Sequence, residues 1–434
     1  MDRKLGLIIS AVLFLTSTVS YGQFETAVPF LMIPTSVQGN GMGGVAASLI
    51  TDDAISNLSN PAQLGIFGLN NSLSLTTYSP KTDWLPSFTS GLSLDVAALS
   101  AGLKLNRYLN LPVPISVGIG FSQVYFDLGI FNRTLANGPE VVSRWHAYEK
   151  ADLLSLGVGI DYVVKLGLGY SYKWIDSELA PFGTEQEVGL GVAKVPACDF
   201  GAILQVPVVD IVSHFKRAPV TFSDKVSPLF NLTFGYAERN VGGGVSYGIQ
   251  TQSDPLPRQG VLGWNFEVGL MSEVNHRPWK LFSFTWAREA EDVLVSVRTI
   301  KTVLTPGDTA YTNQFAYKSW LGSIRPIDNL VLGRTNGEIA LQKGWQIQIA
   351  ECLYFRGGSN TDVGGLLYQT HGESIKLNGF LKLVASLGIW NPHRGWGAYL
   401  INHVDLQYST CAYTSTNNSL LNGTKFSSIN MVLK

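Results

Sequence analysis

The chain has 434 residues, 45% hydrophobic and only 15% charged, with 45 glycines and 31 Lys plus Arg against 32 Asp plus Glu. Average domains carry roughly 25% charge and about 7% Gly, so an ordinary soluble surface is too charged for this chain, and its apolar content excludes intrinsic disorder. A net charge of -1 with no Lys/Arg runs leaves no electrostatic footprint for nucleic acid.

Residues 1–22 read as a signal peptide. Arg3 and Lys4 form a basic start, Leu5 to Val19 an apolar stretch, and Ser20-Tyr21-Gly22 a small-residue cleavage site, so the mature chain is expected to begin near Gln23. Beyond it no segment reaches the ~20 apolar residues of a membrane helix. Cys198, Cys352 and Cys411 are odd in number and widely spaced, which indicates neither a metal site nor a disulfide framework.

Residues 23–70 lack strand alternation. They run through Phe30-Leu31-Met32-Ile33-Pro34, then Gly39-Asn40-Gly41-Met42-Gly43-Gly44-Val45-Ala46, then Asn57-Leu58-Ser59-Asn60-Pro61-Ala62. Gly41, Gly43 and Gly44 permit positive φ and close backbone approach, as a segment packed inside a barrel requires. Pro61 fixes φ and restricts Asn60 to extended backbone, while the Asn60 amide suits local backbone hydrogen bonds, so Asn60-Pro61-Ala62 is expected to form a rigid corner into the first strand.

From residue 71 the dominant period is 2. Leu99, Ala101, Leu103 and Leu105 alternate with Ser100, Gly102, Lys104 and Asn106; Ile115 to Phe121, Leu154 to Tyr162, Leu166 to Trp174, Phe230 to Tyr236 and Leu262 to Leu270 repeat the pattern, as do Leu377 to Ile389, Ala398 to Tyr408 and Ile429 to Leu433. Ala180 to Gln186, Ser213 to Ser227, Thr251 to Arg258, Thr305 to Ser323 and Gly357 to Ser374 read as loops. Each strand is a ribbon with one apolar and one small or polar side, which suits either a soluble sandwich or a membrane barrel. Low charge, the signal peptide, and Tyr170, Tyr172 and Trp174 ending an apolar face as an interfacial girdle favour the barrel. At roughly 26 residues per strand with its connections, residues 71–434 give about 14 strands. The expected fold is all-β: a transmembrane antiparallel β-barrel (71–434) in contact with outer-membrane lipid of a Gram-negative bacterium, preceded by a segment (23–70) that is either a hatch in the lumen or an ordinary loop.

The run from Phe30 through Gly41-Met42-Gly43-Gly44-Val45-Ala46 to Asn60-Pro61-Ala62 resembles the N-terminus of the PorV/PorQ proteins, within the wider FadL-like superfamily. The patch Glu351-Cys352-Leu353-Tyr354-Phe355-Arg356-Gly357-Gly358 resembles a late strand of the same proteins. The resemblance is specific over about residues 28–68 and architectural elsewhere. It implies a 14-stranded outer-membrane barrel with a lumenal hatch, in which Gly41, Gly43, Gly44, Asn60, Pro61 and Ala62 form the gate. It also implies a non-enzymatic part in type IX secretion, with secretion-channel or secreted cargo proteins as partners; the alternative is a FadL-like channel for hydrophobic small molecules.

No HExxH, GxSxG, P-loop or paired CxxC occurs, so neither cofactor nor metal is expected. His403 and Asp405 share a face of the expected strand and raise a third reading, a barrel enzyme, though without a nucleophile marked by spacing. Lys104, Lys173, Glu267 and Lys382 read as lumen charges.

Overall fold

The computed structural model describes residues 26–134, 138–180, 191–223, 226–247, 253–274, 277–305, 308–363, 365–389, 396–415 and 420–434. The signal-peptide reading lies outside these residues. Fourteen antiparallel strands close a barrel: β1 (Leu73–Tyr78), β2 (Ser93–Lys104), β3 (Ile115–Thr134), β4 (Val141–Asp161), β5 (Lys165–Ala180), β6 (Gly191–Pro207) and β7 (Val226–Gly242). They continue as β8 (Gln259–Val274), β9 (Arg277–Val293), β10 (Ile339–Ile349), β11 (Leu353–Thr361), β12 (Leu367–Lys376), β13 (Val404–Thr414) and β14 (Lys425–Leu433). Each strand pairs with its sequence neighbour, and β1 pairs with β14 as well as β2, so the ring has no free edge. A closed ring satisfies every ladder donor and acceptor internally, the condition for strands to cross lipid.

The alternation sorts the two faces. Along β4, Leu154, Leu156 and Val158 are 40–54% exposed on the outside, while Leu153, Ser155 and Gly157 are buried toward the lumen. Outward Phe234, Phe282, Trp345, Leu168 and Trp174 continue the band around the ring. Apolar side chains therefore face outward and the small ones inward, the inverse of a soluble domain and the arrangement of a transmembrane barrel.

The wall is uneven. Strands β3 to β9 run 16 to 21 residues, whereas β10 to β14 with β1 and β2 run 6 to 12. Since roughly 9–11 tilted residues cross the hydrocarbon, the short wall spans it and little more. At the loop end, the connection between β9 and β10 carries a hairpin (Val295–Thr305 with Asp308–Tyr317), so the expected loop Thr305 to Ser323 is partly strand. At the other end, where β14 finishes, three helices sit in connections: α3 (Val208–Lys216), α4 (Leu377–Ser386) and α5 (Trp396–His403), α1 and α2 belonging to the hatch below.

Three expectations are corrected. Gly357 to Ser374 is not a loop but most of β11 and β12, because Ser359, Gln369, His371 and Glu373 point outward there and erase the apolar–polar contrast. Leu377 to Ile389 and Ala398 to His403 are not strands but contain α4 and α5. Leu377, Phe380, Leu381 and Val384 fit i, i+3, i+4, i+7 as well as they fit alternation, and so short a run does not separate the two periods.

Candidate functional site: the lumenal hatch

Residues 26–70 lie inside the barrel as α1 (Val37–Gly41), α2 (Gln63–Asn70) and two 3-10 turns, Pro29–Met32 and Ala54–Leu58. Ser36 caps α1 by accepting a hydrogen bond from Gly39 N at 3.0 Å, and Asp53 caps the second turn by accepting from Ile55 N at 2.9 Å. Gly43 and Gly44 have φ of +78° and +97°, so they turn the chain after α1 in a conformation that strains other residues. Gly41 serves by close approach instead: a Cβ there would lie 3.1 Å from Gly372 Cα on β12.

Backbone contact with the wall is the rule around the ring. Cβ atoms on Gly102, Gly157 and Gly167 would stand 2.6 Å from Gly68 Cα, 2.6 Å from Gly65 N and 2.7 Å from Ala62 O. Gly169, Gly235 and Gly344 are blocked in the same way by the backbones of Pro61, Ala47 and Met42. The inward glycines that break the apolar alternation are thus a seat for hatch main chain. No other residue type leaves room for it.

Hydrogen bonds then fix the hatch within that seat. Glu289 on β9 is 1% exposed, and its carboxylate accepts from Ala46 N (3.0 Å), Ala47 N (3.1 Å), Ser48 N (2.6 Å) and Ser48 Oγ (2.7 Å). Among the described residues this carboxyl pairs with no cation, and its burial is tolerable because four donors converge on it. Thr370 Oγ1 accepts from Gly43 N at 2.8 Å and donates to Gly41 O at 3.2 Å. Arg356 donates to Gln38 in the hatch and to Ser374 and Gln346 in the wall.

Asn60 is fully buried. Its Nδ2 donates to Ala47 O at 2.8 Å, Tyr236 O at 3.2 Å and Ala202 O at 3.3 Å, and its Oδ1 accepts from Ala62 N at 3.0 Å. One side chain therefore ties two hatch loops to β6 and β7. Pro61 and Ala62 lead into α2 rather than directly into β1, which corrects the expected corner: eight residues of helix lie between. The six glycine and Asn-Pro-Ala positions accordingly fall on two separate contacts, one on β10–β12 and one on β5–β7.

The lumen differs on either side of this belt. Toward the loop end, Leu94, Val96, Val124, Phe126, Leu153, Ile175, Tyr413 and Phe426 point inward and pack around Val28, Phe30, Ile55 and Leu58 of the hatch. Toward the terminal end lies a polar cavity of about 890 Å³. Its lining includes the Lys280–Glu267 ion pair at 2.6 Å and Lys376, whose partner Asp405 at 3.0 Å lies behind it.

Most of the other singled-out charges have structural partners. Lys173 pairs with buried Asp199 at 3.1 Å beside a β6–β7 register shift, and Lys382 sits on α4, not in the lumen, paired with Glu351 at 3.0 Å. His403 ends α5 and Asp405 lies on β13, its carboxylate held between Lys376 and Lys434; the expected shared strand face does not exist. Cys198, Cys352 and Cys411 are free thiols. Among the described residues no group of His, Cys, Asp and Glu has metal-binding geometry. Glu289 went unrecognised in the sequence because its partners are backbone amides more than 240 positions away.

Fold and site together define a transmembrane β-barrel with a hatch seated in its lumen. No protein-family profile and no curated protein matches the chain. Among solved structures it is similar to the Pseudomonas putida toluene transporter TodX, at 11% identity and a TM-score of 0.36, covering 91% of this chain and 96% of that one. It is also similar to the CymD monoaromatic hydrocarbon channel (10% identity, TM-score 0.36, 92% and 96% covered) and to the outer membrane protein opdK of Pseudomonas aeruginosa (8%, 0.26, 83% and 97%). Likenesses so distant leave the function to the chain's own geometry.

Proposed function

We propose that the protein is an outer-membrane channel of a Gram-negative bacterium that passes small hydrophobic molecules, with the hatch as its gate. The apolar packing between the upper hatch and the loop-end wall carries this reading. A water-filled pore has a polar interior, whereas here Leu94, Val124, Phe126, Leu153 and Phe426 line the lumen and are kept dry by Val28 and Phe30. An apolar solute entering from the loop end would replace those two side chains at little loss of apolar contact. Gly41, Gly43 and Gly44 on one side and Asn60, Pro61 and Ala62 on the other are the fixed points about which the hatch must shift.

Uptake into liposomes tests the reading. Reconstituted protein should accelerate entry of an aromatic hydrocarbon but not of a sugar of similar size, and equal rates for both with and without protein would sink it. A second reading, a PorV/PorQ-like barrel serving type IX secretion, is favoured by one observation: the outward polar patch of Gln369, His371 and Glu373 on β12, which suits a protein partner better than lipid tails. Normal secretion in a deletion strain would remove it.

A further inference from the structure

The lipid-facing band is not of even height. On β8 the outward residues Leu262, Trp264, Phe266, Val268 and Leu270 give five apolar rows. On β12 only Leu367 near the loop end and Ile375 near the terminal end are apolar, with Gln369, His371 and Glu373 between them. A bilayer centred on the β8 band would meet those charges well inside the hydrocarbon, where they are strongly unfavourable.

The chain continues from that deficit directly into α4. The outward face of β12 passes through Ile375 (61% exposed) to Leu377 (47%), and Phe380 and Leu387 (52% and 65%) extend the same side of the helix and its C-terminal end. The opposite face is already docked: Asn378, Gly379 and Lys382 are buried, Lys382 pairs with Glu351, and Asn378 Nδ2 donates to Ile401 O at 2.6 Å and Val404 O at 3.0 Å, joining α4 to α5, while Leu383 on the flank packs on Trp279, Ala350 and Cys352. On α5, Ile401 is buried while Trp396 and Tyr399 are exposed. A helix docked by one face and apolar on the other, with Trp and Tyr beside it, is the form of an interfacial element.

We propose that α4 and α5 lie in the headgroup–acyl boundary of the leaflet at the terminal end, their exposed apolar faces in lipid. They complete the band where β11 and β12 supply too little of it. The occupant is lipid rather than protein because the exposed face joins the barrel's own lipid-facing surface sideways, through Ile375 to Leu353 of β11 and Ile349 of β10. This placement holds whatever the lumen carries.

Nitroxide labels on the full-length protein in phosphatidylethanolamine/phosphatidylglycerol vesicles test this. Labels enter singly at Phe380→Cys, Leu387→Cys and Trp396→Cys in a Cys198→Ala background, with Leu156→Cys as the lipid reference and Ser90→Cys as the water reference. Collision with oxygen relative to a water-soluble nickel chelate should be raised several-fold over the Ser90 value at all three sites. Chelate access at positions 380 and 387 equal to that at 90 overturns the proposal. So does an immobilised label that neither reagent reaches, the mark of a protein covering.

Discussion

The hatch meets the barrel in two unlike ways. At the belt, main chain rides directly on inward glycines and is held by Glu289, Thr370, Arg356 and Asn60. Above the belt, Val28 and Phe30 sit among apolar wall side chains, and Ala27 N donates to Pro255 O at 3.0 Å. Close backbone approach and directed hydrogen bonds specify one position. Apolar packing specifies only volume, so other apolar matter can take its place. The belt fixes the hatch in one place, and the apolar packing above it is the part that other apolar matter can replace.

Lesions in the two regions should therefore have separable signatures. The largest effect is expected from Gly169→Val, whose side chain would collide with the Pro61 backbone. Neither partner can yield, so the hatch should unseat at a penalty above about 3 kcal/mol. Ion conductance in planar bilayers should rise while the heat-modifiable gel shift of the closed barrel persists; unchanged conductance would refute the glycine seat.

Phe30→Ala, in the other region, should weaken packing of the upper segment by about 3 kcal/mol. Here the comparison predicts more binding of an apolar fluorescent probe with no rise in ion conductance. If conductance rises as well, the two regions are not independent.

Glu289→Ala strands three amides and a hydroxyl and should cost about 2–3 kcal/mol locally. Hydrogen exchange at Ala46 to Ser48 should accelerate by about a hundredfold, and Glu289→Gln, which keeps one carbonyl acceptor, should fall between. The smallest change, about 1–2 kcal/mol, is expected for Asn60→Ala, seen as faster proteolysis within residues 49–62. Proteolysis at the wild-type rate would show that the Asn60 amide is not an anchor.

Legibility in the sequence followed the strength of the apolar contrast. Leu154 to Tyr162, Leu166 to Trp174 and Leu262 to Leu270 lie on strands whose apolar residues face outward. The contrast fails on β12, where outward Gln369, His371 and Glu373 are as polar as inward Thr370 and Ser374. It misleads at α4, where a few apolar residues fit both periods. In the hatch, Gly43 and Asn60 stand out by residue type alone, while Glu289, the acceptor for three consecutive hatch amides, looks like any inward charge.

By itself the sequence determined that this chain makes strands with one greasy face, that their number is near fourteen, and that a non-alternating, glycine-bearing segment precedes them. Those features are local, written in periods of two and in residues with unusual backbone freedom. Only the tertiary structure decided where that segment touches the wall, which glycines face it, and that the lumen is apolar above it and charged below. Each of these depends on closing the ring, which brings residues more than 200 positions apart to a shared depth, and no local pattern records that distance.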